Sequence, residues 1–303
     1  MWQKYLQLLA ADRAQRWGWG PSSSLVRAMV AVLLFWVPWV TAAEHARATE
    51  EFHDRLMIRG GWAHIFGANA DATLPGPITG IGTSIDFAKT LGGDTSSNAF
   101  RLDTLYRFNE RHALGLSWYR VGLGGQRTLN EQLHINDYTI QAGANANSSL
   151  NFNLYRLIYN YSFYRTDKVE LAVSPGLYMA DTKFHLTAHG NVTVPNGQAP
   201  FNVARVTEDL TVPLPSIGLV VNYNITPRFQ FQTRGDFFYV TISEYQGAMF
   251  EFYAGLEYRL FKHLALGAAY DRLSAGLRDT TTDGYEFSLN YNVVYLYATL
   301  YLF

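Results

Sequence analysis

Cysteine is absent from all 303 residues, which excludes disulfide staples, a thiolate nucleophile and Cys-built metal sites. A long apolar run is missing too. Mean hydropathy is -0.07 although 48% of the chain is hydrophobic, whereas a membrane-crossing helix needs about 20 successive apolar residues. Charge of one sign is also lacking, with 24 Lys and Arg against 25 Asp and Glu and a formal net charge of -1. That balance leaves no electrostatic footprint for nucleic acid, and none is expected as a partner. There is no Walker A sequence and no G-x-G-x-x-G opening a helix, so nucleotide binding has no support. None of the eight His is followed two residues later by Ser.

Aromatics are plentiful instead, at 15%, with 20 Tyr and 19 Phe. They fall in a period of two, most plainly in the last nineteen residues. The odd positions run Tyr285, Phe287, Leu289, Tyr291, Val293, Tyr295, Tyr297, Thr299, Tyr301 and Phe303; the even ones begin Glu286, Ser288, Asn290, Asn292 and end Leu296, Ala298, Leu300, Leu302. Successive side chains of a strand point to opposite faces, so the run reads as one strand with an aromatic face and a face polar along its first half. Core strands usually have about 5 to 6 residues, whereas about 9 to 11 tilted residues cross a bilayer. The aromatic odd face is expected to meet lipid, which puts Leu296, Leu300 and Leu302 inside.

The same alternation recurs over 55-66, 98-108, 112-124, 150-164, 168-184, 209-225, 228-242, 248-260 and 263-277. In 228-242, Phe229, Phe231, Phe237 and Tyr239 oppose Arg228, Gln230, Gln232, Arg234 and Asp236. Short turns at 109-111, 165-167, 226-227 and 261-262 alternate with longer connections at 67-97, 125-149 and 185-208, then 243-247 and 278-284. Short periplasmic turns and long outer loops are the asymmetry of a transmembrane barrel. The expectation is an all-β, closed antiparallel transmembrane β-barrel of about ten strands, within a range of about 8 to 12. Pro213 and Pro215 are expected at a rim or bulge, where lost ladder bonds are tolerated.

Lys4, Arg13, Arg16 and Arg27 precede an apolar stretch, Met29 to Val40, that ends in Thr41-Ala42-Ala43. This is the pattern of a secretory signal peptide over 1-43, with a barrel domain over 44-303.

Gly82-Thr83-Ser84-Ile85-Asp86-Phe87, Tyr106-Arg107-Phe108-Asn109-Glu110-Arg111-His112, Tyr161-Ser162-Phe163-Tyr164-Arg165, Val169-Glu170-Leu171-Ala172 and the last strand carry a likeness. The chain resembles the small Gram-negative outer-membrane β-barrels, in the broad class of the outer-membrane protein A and W barrels. That resemblance implies residence in the cell outer membrane, contact with its lipid and lipopolysaccharide, and delivery by the barrel assembly machinery. It also implies that the terminal strand, with Tyr301 and Phe303, serves as an assembly signal. A monomer is expected.

For the bore, the inward set reads Arg59, Arg101, Arg107, Arg156, Arg234 and Arg259 against Asp103, Glu170, Asp236, Glu251, Glu257, Asp271 and Glu286. Buried charges must be paired to avoid a penalty of several kcal/mol each, so near-balance favours a cross-linked interior over a wide selective pore. The expected function is a narrow or gated passive channel, or a structural barrel with a charge-paired lumen, without a cofactor. The alternative is an outer-membrane hydrolase. Ten strands is also the architecture of the omptin proteases, whose acidic and His-Asp pairs sit at the outer rim, and lipid deacylases use Ser beside His. Asp71, Asp86, Asp94, His134 and Asp137 are the loop candidates, and His185-Leu186-Thr187 is the nearest to a deacylase pair. His185 and His189 have the only metal-like spacing, but i and i+4 on a strand lie about 13 Å apart. No catalytic or metal residue is assigned.

Overall fold

The fold comes from a computed structural model, which describes residues 55-74, 83-135, 138-193, 201-279 and 286-302. The expected signal peptide, Asp137, Tyr285 and Phe303 lie outside the described residues. Thirteen strands form one sheet: β1 (Leu56–Leu74), β2 (Thr83–Asp86), β3 (Ser97–Arg107), β4 (His112–Thr128), β5 (Leu133–Ile135), β6 (Tyr138–Ile140), β7 (Asn145–Arg165), β8 (Val169–Thr193), β9 (Phe201–Thr226), β10 (Phe229–Ile242), β11 (Tyr245–Phe261), β12 (Leu264–Asp279) and β13 (Glu286–Leu302). One short helix, α1 (Phe87–Leu91), follows β2. The ten long strands close a ring in the order β8-β7-β4-β3-β1-β13-β12-β11-β10-β9, and β9 pairs back to β8. Every pairing is antiparallel, including the seam where Leu56 meets Leu302. The protein is thus an all-β closed barrel.

The ring places alternate residues inside and outside, and composition sets which is which. Ile217, Leu219, Phe237, Leu256, Leu266, Tyr155 and Leu157 face out and are exposed, while Arg101, Arg156, Asp236, Glu251 and Asp271 face in and are buried. A soluble barrel has the reverse arrangement. An apolar outer wall around a charged bore belongs in a bilayer, and closed barrels of this kind occupy the Gram-negative outer membrane.

The bore is filled in two layers. At the loop end, α1, β5 and β6 contribute Phe87, Leu91, Leu133, Ile135 and Ile140 to an apolar cluster with Ile65, Val121, Phe152, Leu186 and Met249 from the wall. Nearer the short turns the filling is polar and charged. Gly93 lies against Phe87: a Cβ there would sit 2.1 Å from Cδ1, so only glycine lets α1 pack this closely.

The wall differs from the sequence expectation in three ways. The connection expected at 185-208 is largely strand, because Leu186, Ala188, Val192, Ala204 and Val206 keep alternating inward. The β10-β11 connection is only Ser243-Glu244, with Ser243 at φ 51. The third difference concerns β13. Its tyrosine face points into the bore, with Tyr291, Tyr295, Tyr297 and Thr299 buried, while Leu296 is 49% and Leu300 46% exposed. The strand is longer than the lipid layer, so its polar even positions stand beyond the membrane and its apolar even positions within it. Glu286 shares the face of Leu296 and therefore lies outside the bore, contrary to expectation.

Pro213 and Pro215 mark a fork. The β9-β10 ladder ends at Ile217 and Phe237, although β10 continues to Ile242, while the β8-β9 ladder runs through both prolines without a shift. Prolines two apart present the same edge, and neither has an N–H to offer β10.

Candidate functional site

The polar layer is built by inward positions of strands distant in sequence. Nearest the turns, Arg107 on β3 donates to Glu170 on β8 through Nη1 at 2.8 Å and Nη2 at 3.2 Å, and Asn222 Nδ2 and Ser162 Oγ complete that carboxylate. One step inward, Arg59 on β1 donates from Nη2 to Glu257 Oε2 at 2.9 Å, from Nη1 to Gln232 Oε1 and Tyr253 OH at 3.1 Å, and from Nε to Thr299 Oγ1 at 3.1 Å. Its guanidinium lies 4.3 Å from the Tyr297 ring. Thr299 and Tyr301 hydroxyls both donate to Glu257, and Arg259 lies 4.0 Å over the Tyr301 ring at the mouth.

The middle layer holds two further groups. Arg101 donates from Nε to both oxygens of Asp103, at 3.2 and 3.1 Å, and from Nη1 to Asp271 Oδ2 at 2.6 Å. Its guanidinium is caged by the rings of Tyr119, Tyr253 and Tyr295 at 5.2, 5.8 and 5.3 Å. Arg234 donates from Nε to Asp236 Oδ2 and from Nη2 to Glu251 Oε1, both at 2.5 Å. Tyr178 OH reaches the same Asp236 oxygen at 3.0 Å, and Arg156 Nη2 lies 3.5 Å from it. Tyr119 and Tyr291 hydroxyls meet at 2.5 Å from β4 and β13.

These contacts cross the bore. Arg59-Glu257, Arg101-Asp271, Arg107-Glu170 and Arg156-Asp236 each join strands three places apart in the ten-strand ring. Twelve of the thirteen expected bore residues face inward, with Glu286 the exception. Tyr301, expected as part of an assembly signal, bonds Glu257 inside the barrel.

Tyr119, Tyr178, Tyr291, Tyr295 and Tyr297 also line the bore and were not foreseen in it. The signal was available: Val294, Leu296, Ala298, Leu300 and Leu302 are uninterruptedly apolar, whereas the tyrosine face carries Thr299. Tyrosine suits a filled bore because its ring packs on guanidinium groups and its hydroxyl bonds carboxylates.

Of the rim candidates, two acids are brought side by side, and Asp137 lies outside the described residues. Asp71 pairs in register with Asp86 and accepts from Asn69 Nδ2 at 2.8 Å. Asp86 caps α1 and lies 2.9 Å from Lys89 Nζ. His134 is on β5, and Asp94 is exposed after α1. His185 and His189 are exposed on the outer face of β8, where His185 Nδ1 meets Thr207 Oγ1 at 3.1 Å. His64, His112 and His263 contact Asn98, the Tyr159 hydroxyl and the Tyr301 carbonyl.

Against known proteins, the family described as "Protein of unknown function, DUF481" matches residues 94–295. No curated protein matches the sequence. Among solved structures the chain is similar to the outer membrane protease OmpT of Escherichia coli, with 10% identity, a TM-score of 0.49, and 84% of this chain and 99% of that one covered. It is also similar to the toluene transporter TodX of Pseudomonas putida (9%, TM-score 0.35, 82% and 90% covered). The outer membrane protein OprG of Pseudomonas aeruginosa gives 11%, TM-score 0.31, and 82% and 95% covered.

Proposed function

The chain belongs to the DUF481 family of proteins of unknown function, and for this member we propose a gated passive channel that rests closed and has no enzymatic activity. The observation that carries this reading is the set of arginine-carboxylate pairs spanning the bore. If filling alone were required, apolar side chains would serve at lower desolvation cost, and the loop end of the same barrel is filled that way. Paired charges retained across a bore can separate and so gate the layer they span. The protein's partners are outer-membrane lipid, lipopolysaccharide and the assembly machinery. One chain suffices, because its own strands close the ring.

The test is single-channel recording of the refolded protein. Wild type should conduct little and intermittently. Arg234→Ala leaves Asp236 and Glu251 without their 2.5 Å partner, so it should lower thermal stability by roughly 3 to 5 kcal/mol and raise cation-preferring conductance. A wide, steady wild-type pore unchanged by the substitution refutes the closed resting state.

A further inference from the structure

The twelve inward-facing charged residues named above balance as a set, six cations to six anions, but not layer by layer. Among the described residues, the middle layer holds the carboxyl groups of Asp103, Asp236, Glu251 and Asp271 and the guanidinium groups of Arg101, Arg156 and Arg234. That is four potential anions to three cations, because Arg59, in register with Asp103, is spent on Glu257. The compensating cation of the bore, Arg259, is at the mouth beyond the Arg59-Glu257 layer, where it donates to the Lys262 carbonyl. Burying one uncompensated carboxylate is costly, and the usual outcome is that the group takes up a proton.

The geometry identifies where. Asp271 depends on a guanidinium that also binds Asp103 through two contacts. Its other oxygen, Oδ1, is buried without a hydrogen-bond partner, and so are Glu251 Oε2 and Asp236 Oδ1, but Asp236 has two arginines within 4 Å. Asp271 and Glu251 are diagonal neighbours: Tyr253 on β11 faces Asp271 on β12 in register, two residues from Glu251. We propose that Asp271 and Glu251 form a buried proton-binding site, and that the bound proton is the fourth cation holding the plug shut. One free carboxylate oxygen then becomes an O–H donor. Loss of the proton leaves a surplus anion in a dry layer and loosens it.

The other groups around the site fit this account. Arg101 on β3 and Arg234 on β10 each already serve two carboxylates. From β7, Arg156 approaches Asp236 rather than Asp271. From β4 and β13, the Tyr119 and Tyr291 hydroxyls share one hydrogen bond, and from β8 the Tyr178 hydroxyl donates to Asp236. No further cation faces Asp271 among the described residues of the middle layer.

The turn end supplies the route. Asn222 Oδ1, Asn160 Oδ1, Ser174 Oγ and Ser216 Oγ are all buried without hydrogen-bond partners. Glu170 pairs in register with Asn222 near the turns, and Ser174, Gly218 and Asp236 form one row across β8, β9 and β10. This polar line runs from the mouth to the middle layer, whereas the loop end is sealed by apolar side chains. Protons therefore exchange from the turn side.

The proposal rests on the closed-channel reading, and two measurements separate their failures. Infrared titration of the full-length refolded barrel detects the protonated carboxyl whether or not the bore conducts. Its carbonyl stretch should vanish as pH rises and be missing in Asp271→Asn. Thermal stability of wild type should fall over the same range. Asp271→Asn, which copies the protonated shape without a charge, should hold its stability. In bilayers, raising pH on the turn side alone should increase wild-type open probability, approaching tenfold per pH unit if opening releases one proton, while Asp271→Asn stays closed. An Asn variant less stable than wild type at every pH, or no titrating carboxyl in wild type, overturns the proton site. A titrating carboxyl with parallel stability loss but no current at any pH keeps the site and overturns the channel.

Discussion

At the scale of single residues, β13 shows how one side chain fixes several neighbours. Tyr297 lies in register with Gly267 on β12, and a Cβ at Gly267 would sit 2.3 Å from the ring. The ring fills the glycine's empty place and presents its face to Arg59 at 4.3 Å, a cation–π contact of about 2 kcal/mol when desolvated. Gly267→Val should displace Tyr297, destabilise the barrel by roughly 1 to 3 kcal/mol, and weaken the Arg59-Glu257 pair. Chemical denaturation in detergent checks the first effect and tyrosine fluorescence the second. Unchanged stability would show that the ring has room to move. The charged residues of the bore were legible in sequence because charge on a membrane strand has only one affordable direction. Tyrosine is at home facing lipid headgroups or a guanidinium, so its direction had to be read from the opposite face.

Among the elements, α1 is the one most dependent on its cap. Asp86 at its N-cap accepts from the Lys89 N–H at 2.8 Å, and Gly92 closes it at φ 65. Partial burial alone would raise the Asp86 carboxyl, but the Lys89 N–H and ammonium outweigh it and hold the group below its ordinary value. A group depressed in the folded state stabilises above its unfolded titration and loses that contribution as pH falls through its folded one. Asp86→Ala should therefore loosen α1 by about 1 kcal/mol, and acidification should do the same to wild type but not to the variant. Hydrogen exchange at Leu91 and Gly93 reads both; equal protection in the two proteins would sink the capping argument. The long strands were legible through their period of two, whereas α1, β5 and β6 were hidden. They have three to five residues, shorter than any periodicity can register, and their apolar character comes from tertiary burial inside the ring.

For the whole molecule, orientation follows from the asymmetry of the connections. The turns after β3, β7, β9 and β11 are short, and the loop end carries the extended β7, β8 and β9. Cysteines placed singly at Asn147, Asn191 and Thr166 should react with an impermeant thiol reagent on intact cells only at the first two, both exposed at the loop end. Labelling of the Thr166 variant alone would invert the barrel. The ring order was readable because consecutive antiparallel strands are neighbours; the layering of the bore was not, since it depends on loop residues folding back among wall residues far away in the chain.

The seam between β1 and β13 carries a kinetic consequence. Arg59 and Thr299 are bonded across a separation of 240 residues, so the first strand can be matched only after the last has been delivered. Contacts this distant in sequence form late, since the entropy of closing so long a chain segment must be met before they reward it. Until then Arg59 lacks Thr299, and Glu257 lacks Arg59. An unfinished barrel therefore leaves Arg59 on the joining strand β1, and Glu257 on β11, without each other, which disfavours its lingering in lipid. Completion is rewarded all at once, and the seam serves as a checkpoint that a truncated or misordered sheet fails.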